Sequence, residues 1–183
     1  MVLPGHIAGG YLVSRLILSW APASFSSVQI VWLTVVGTLA GELPDIDIAY
    51  FSFKKIIVRS ETVENHRDYL THAPVIWLIV AGLISIAGEL ITSQFIVWLG
   101  IVVFAGTWTH FILDSIEYGV RWLWPFSNRR FALRKAPPFE SSRPVGSLAY
   151  YWDYISSSYV YYLTFYLEIV VVLTATYLLL AHI

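Results

Sequence analysis

Two stretches limit what this chain can become: Phe95 to Glu117 and Tyr159 to Ala181 are apolar runs long enough to cross a bilayer, since a helical span takes about 20 apolar residues. Three shorter apolar stretches accompany them. His6 to Trp20 is interrupted by Arg15, Val28 to Leu43 stops at Pro44, and Ala73 to Gly88 follows a polar loop. With 57% hydrophobic and 13% charged residues, the composition departs from the roughly 25% charge of a soluble domain. The expected fold is all-α: a polytopic membrane helix bundle of about five transmembrane or partly inserted helices. No basic leader followed by a small-residue cleavage site opens the sequence, so a removed signal peptide is not expected.

The 183 residues suit one compact bundle, a single domain over 1–183, without a separate catalytic domain. There are no cysteines, which excludes disulfides and thiolate metal sites; a metal here would need His, Asp or Glu. The net charge of -1 identifies no partner, and no separate basic surface suggests nucleic acid. The distribution of charge says more. Apart from Arg15, every Lys and Arg falls in one of two loops, 45–72 and 118–158, while the connections 21–27 and 88–94 have none. By the positive-inside rule, both long loops and the N-terminus are expected on the cytoplasmic side of the inner membrane.

That topology gathers the scattered polar residues. His6 opens the first span, and Asp45 and Asp47 of "PDID" stand where the second ends. His66, Arg67 and His72 of "HRDYLTHAP" lie where the chain re-enters. His110 and Asp114 occupy the end of the fourth span, four residues apart and on one helical face. Every histidine except His182 therefore falls in one layer. Each motif has an ordinary explanation alone, such as a helix start, an interfacial stop or a buried hydrogen bond. Their coincidence in one layer favours a divalent metal, because intramembrane charges are expensive unless paired or ligated. Imidazole and carboxylate suit zinc, and also manganese or iron. The candidate ligands are His6, Asp45, Asp47, His66, His72, His110 and Asp114; seven exceed the needs of one ion, so two ions are expected, with some of the seven orienting the others.

The ordered set "PGHIAGG", "GELPDID", "HRDYLTHAP", "HFILD" and "WPFSNRRFAL" resembles the YdjM-type inner-membrane metal-dependent hydrolases, over residues 4 to about 135. The resemblance implies metal ligation by His6, Asp45, His66 or His72, His110 and Asp114. It also implies a distant kinship to zinc phospholipases C and fungal zinc nucleases, and so cleavage of phosphoesters. This chain departs from the family pattern in the spacing between His-Arg and Thr-His, and in Ala73 where a serine is common. The choice between His66 and His72 therefore stays open. Asp153 in "YYWDYI" would match a later family acid.

The expected function is a membrane-bound metal-dependent hydrolase acting on a phosphoester or lipid-borne ester. Asp47 or Asp68 would take a proton from water, and Arg67 would clamp developing negative charge through its planar fork. The basic run "NRRFALRK" is either topogenic or a collector of anionic headgroups. Two other functions compete. One is a metal-ion or proton transporter, although the opposite half of the bundle supplies only Arg15, Glu89 and Glu168. The other is a non-catalytic membrane protein stapled by a structural metal.

Overall fold

A computed structural model describes residues 1–22, 24–48, 66–136, 139 and 148–181, with backbone alone at His66 and Leu148. The described chain is helical: α1 Leu3–Leu18, α2 Ser27–Ala40, α3 Pro74–Leu90, α4 Gln94–Asp114, α5 Leu148–Ser157 and α6 Leu163–Ala181. Short 3-10 turns, Leu43–Asp45, His66–Asp68 and Leu70–His72, join α2 to α3. No strand forms among the described residues; Val120 and Phe131 make an isolated antiparallel bridge.

Local signals set the helix ends. Pro4 and Pro74 sit in the first turns of α1 and α3, where a missing N–H removes no bond. Ser26 and Gln29 form a reciprocal capping box that starts α2. Two distant carboxylates also cap helix starts, those of α1 and α6. Glu168 of α6 accepts from Gly5 N at 2.7 Å, and Glu117 accepts from Thr164 N and Oγ1 at 2.9 and 2.7 Å. Each neutralises the positive end of a helix dipole while satisfying orphan donors. Beyond α4, Gly119 turns the chain at φ +85°, a conformation that disfavours a Cβ.

Helices α1, α2 and α4 pack against one another, α3 pairs with α4, and α6 lies along α1. Close approach depends on glycine. A Cβ on Gly106 of α4 would fall 2.3 Å from the Gly37 carbonyl oxygen of α2, and one on Gly41 would fall 2.5 Å from the His6 oxygen. Small residues at helix contacts are what bundles in lipid use, because apolar side chains gain little by leaving lipid for protein.

Two helices, α4 and α6, are long and apolar enough to cross a membrane. The other three stretches are shorter than a span. With 16, 14 and 17 residues, α1, α2 and α3 reach only about 24, 21 and 26 Å, against a hydrocarbon core of about 30 Å. Pro44 follows the end of α2 and Pro74 opens α3, whereas Arg15 lies within the last turn of α1. Glu168, expected in the half of the bundle away from the site, instead lies against the start of α1, beside the histidine layer.

Candidate metal centre

The end of α4 is the foundation of the site. His110 and Asp114, one turn apart, are both fully buried. His110 Nδ1 donates to the Gly41 carbonyl at 2.8 Å, which fixes the tautomer and leaves Nε2 directed inward without a hydrogen-bond partner among the described residues. His6 stacks on the His110 ring at 3.8 Å between centroids. Its two nitrogens also lack hydrogen bonds, although Nε2 stands 3.3 Å from Asp114 Oδ1.

Asp45 and His72 close the cluster from the turns between α2 and α3. Asp45 Oδ1 is buried without a hydrogen-bond partner, 3.2 Å from His72 Nε2 and 3.8 Å from His110 Nε2. Two groups of potential ligands result, His6–His110–Asp114 and Asp45–His72–His110, each with its donor atoms within 4.8 Å of one another. Donors around one tetrahedral zinc lie about 3.3 to 3.6 Å apart, given bonds of about 2.0 to 2.2 Å. The spacings observed here, 3.2 to 3.9 Å, bracket that value. Orphaned buried donors at this spacing, all imidazole or carboxylate, fit a divalent cation.

The remaining expected residues divide. Asp47 is not directed at the cluster in the same way: its Oδ2 accepts from His72 Nδ1 and from Thr71 Oγ1, both at 2.6 Å. A carboxylate behind a histidine ligand aims the ring and raises its basicity. Arg67 donates from Nε to Asp114 Oδ2 at 3.0 Å and covers the Tyr118 ring at 4.6 Å. The Met1 amino group reaches Asp114 Oδ1 at 2.8 Å. Arg67 thus balances a buried carboxylate. Asp68 is exposed and pairs with Arg130 at 2.6 Å, outside the ligand groups. The side chain of His66 lies outside the described residues, so the structure offers His72 for this pair of candidates. Asp153 sits on α5 and is in neither ligand group.

Glu42 was missed by the sequence reading. Its Oε1 is buried without a hydrogen-bond partner, and burial, with Asp45 and then Asp114 nearby, pushes its carboxyl up to about 8. The only signal was its place at the start of "ELPDID". Other groups outside the spans respond to the same crowding. Burial opposes ionisation of Asp45, yet the adjacent His72 imidazole, and then His110, hold it well below the usual carboxylate range. Burial would lower His72, but the Asp45 and Asp47 carboxylates beside it outweigh that and raise the imidazole above its ordinary value. Asp45 retains 13% side-chain exposure and Arg67 16%, whereas the other four ligand candidates retain at most 2%. The cluster is therefore open on the Asp45 and Arg67 side.

Comparison with curated proteins and with solved structures found no match. The family model described as YdjM inner membrane protein matches residues 1–183, the whole length over which the helices and the histidine–aspartate cluster are built. The chain belongs to the YdjM inner membrane protein family.

Proposed function

We propose that this protein is a membrane-embedded metal-dependent hydrolase that cleaves a phosphoester or other ester of a membrane lipid. The observation that carries the proposal is the convergence of His6, Asp45, His72, His110 and Asp114 with buried donor atoms left unsatisfied at His6, His110 and Asp45. A polar network left half satisfied is costly, and a cation is the partner these atoms lack. When bound, a divalent ion supplies Lewis acidity toward a phosphoryl or carbonyl oxygen and lowers the pKa of water.

The chain's own residues divide the work around that ion. His110 is the donor common to both ligand groups. Its Nδ1 is committed to Gly41, and Nε2 has one lone pair, so it serves one ion at a time. This favours a single ion over the two expected from the ligand count. Asp47 holds the His72 ring in place, and Arg67 fixes Asp114. The accessible side, flanked by Asp45 and Arg67, is where an ester headgroup approaches. The site layer contains the start of α1, the ends of α2 and α4 and the approach to α3; with the basic loops beside it, this supports five membrane-inserted helices with the site at the cytoplasmic face.

A second reading has its own observation. The ligands tie together α1, the turns after α2, the turn before α3, and α4, so a metal here would also staple the bundle. Hydrolysis of phospholipids and lipid phosphoesters by purified protein in mixed micelles, with zinc or manganese restored, separates the readings. The hydrolase reading expects turnover that disappears in His110→Ala. Metal-loaded wild type that cleaves no ester would leave only the staple.

A further inference from the structure

The segment that follows α4 does more than return the chain to α5. Between Tyr118 and Ala136 it carries Arg121, Arg129, Arg130, Arg134 and Lys135 and no acidic residue. In the same stretch large apolar side chains face outward: Leu123 is 68% exposed, Phe126 95%, Phe131 55% and Leu133 74%. Nothing in the described fold covers them. The segment is nevertheless built, not loose. The Val120–Phe131 bridge pins its middle, and Leu133 N and Arg134 N donate to Ser115 and Ile116 oxygens at 2.8 and 2.9 Å.

It is also fastened to the ligand-bearing turns. Arg121 donates to the Tyr69 carbonyl at 3.0 Å, and Arg130 holds Asp68 at 2.6 Å. Both partners belong to the short segment that ends in His72. A stretch of cations and exposed large apolar groups, attached directly to the end of a membrane-length helix, has the composition of an interfacial element, with basic side chains at the headgroups and apolar ones below them. A purely topogenic loop would need the cations and not the apolar tips.

We infer that the 119–136 segment is a lipid-binding wedge that docks on anionic phospholipid headgroups of the protein's own membrane, and so sets the metal centre at headgroup depth. The inference rests on the family's membrane location and on no assumption about chemistry at the centre. The apolar tips Phe126 and Leu133 enter the acyl region, while Arg129 and Lys135 engage the phosphates.

The absence of cysteine makes the test direct. Full-length Phe126→Cys and, separately, Leu133→Cys are labelled with an environment-sensitive bimane and reconstituted into vesicles of phosphatidylcholine alone or mixed with phosphatidylglycerol. A spin-labelled acyl chain serves as quencher. The expected result is a blue-shifted label, quenched more strongly when phosphatidylglycerol is present. That difference should be lost when Arg129→Gln and Lys135→Gln are added, in a protein whose melting temperature in detergent matches its parent. Labels that stay water-like and unquenched in both vesicles would overturn the inference and point to a protein partner instead. Equal quenching in both would overturn the preference for anionic lipid.

Discussion

The two ends of the helix bundle are held together by different physics. At one end Leu18, Leu33 and Val102 form a buried apolar cluster, with Phe25, Ile30, Phe95 and Trp98 packed around it. At the other, the buried side chains include His6, Asp47, His72, His110, Asp114, Glu117 and Glu168. The apolar end is stable through shape alone and is forgiving, since lipid resembles its interior. The polar end is coupled: its carboxylates answer helix termini, a guanidinium or an imidazole, and several buried polar atoms have no hydrogen-bond partner among the described residues. A fold seldom keeps such an end unless a ligand completes it. The proposed function belongs to the polar end.

Substitution at the two ends should therefore differ in kind, and the largest effect is expected at Asp114. Asp114→Ala removes the carboxylate that Arg67 and the Met1 amino group share, together with a candidate ligand. It should destabilise by about 3–5 kcal/mol, as when one partner of a buried ion pair is lost, and abolish metal binding. Thermal unfolding and metal content of the purified variant check both. If metal content is retained, Asp114 is not a ligand.

Chelation comes next. Saturating ion at a thousandfold excess over its Kd should stabilise the fold by about 4 kcal/mol, so a chelator should lower the melting temperature. The chelated form should also respond to pH. His72, held above its usual 6.5, contributes stability that is complete below pH 6.5 and lost as pH rises through its raised value. Glu42, pushed from 4.5 to about 8, acts in the same direction, because the unfolded chain releases that proton first. Melting of the chelated protein should thus fall from about pH 4.5 to 8, more steeply above pH 6.5 where both groups contribute, with a flatter profile once metal is restored. Identical profiles would remove His72 from the centre.

At the apolar end, Leu33→Ala should cost about 2 kcal/mol, at the low end of buried Leu→Ala losses because lipid lessens the transfer term. Metal content should not change, and a change would show that the two ends are coupled. The last effect is opposite in sign and is expected for Glu42→Gln. Its amide imitates the protonated carboxyl and cannot ionise in the unfolded chain, so the variant should be more stable than wild type near neutral pH, and the alkaline decline of the chelated protein should soften.

Much of the polar end was legible in the sequence, because helix ends are marked by proline, by charge and by the basic loops. His6, Asp45, His72, His110 and Asp114 were placed in one layer on those grounds, and the structure brings these five together. The same logic could not assign side-chain direction within the turns. Asp45 and Asp47 are two residues apart, yet Asp45 meets His110 while Asp47 sits behind His72. Asp68 neighbours Arg67 in sequence but pairs outward with Arg130. Glu168 could not be read at all. Its role depends on α6 starting beside α1, a packing choice that hydropathy does not encode. The end of α2 was placed too late for a related reason: apolar composition continues to Leu43, past Ala40, where the helix ends.

The central claim is that the buried histidine–aspartate cluster is a metal centre built around His110. Element analysis of the detergent-purified full chain, beside His110→Ala prepared identically, tests it most directly. The account predicts one divalent ion per chain in the wild type and none in the variant, because both ligand groups lose their common donor. A wild-type protein without metal after exposure to zinc, manganese or iron, or a variant that retains the wild-type amount, would contradict it.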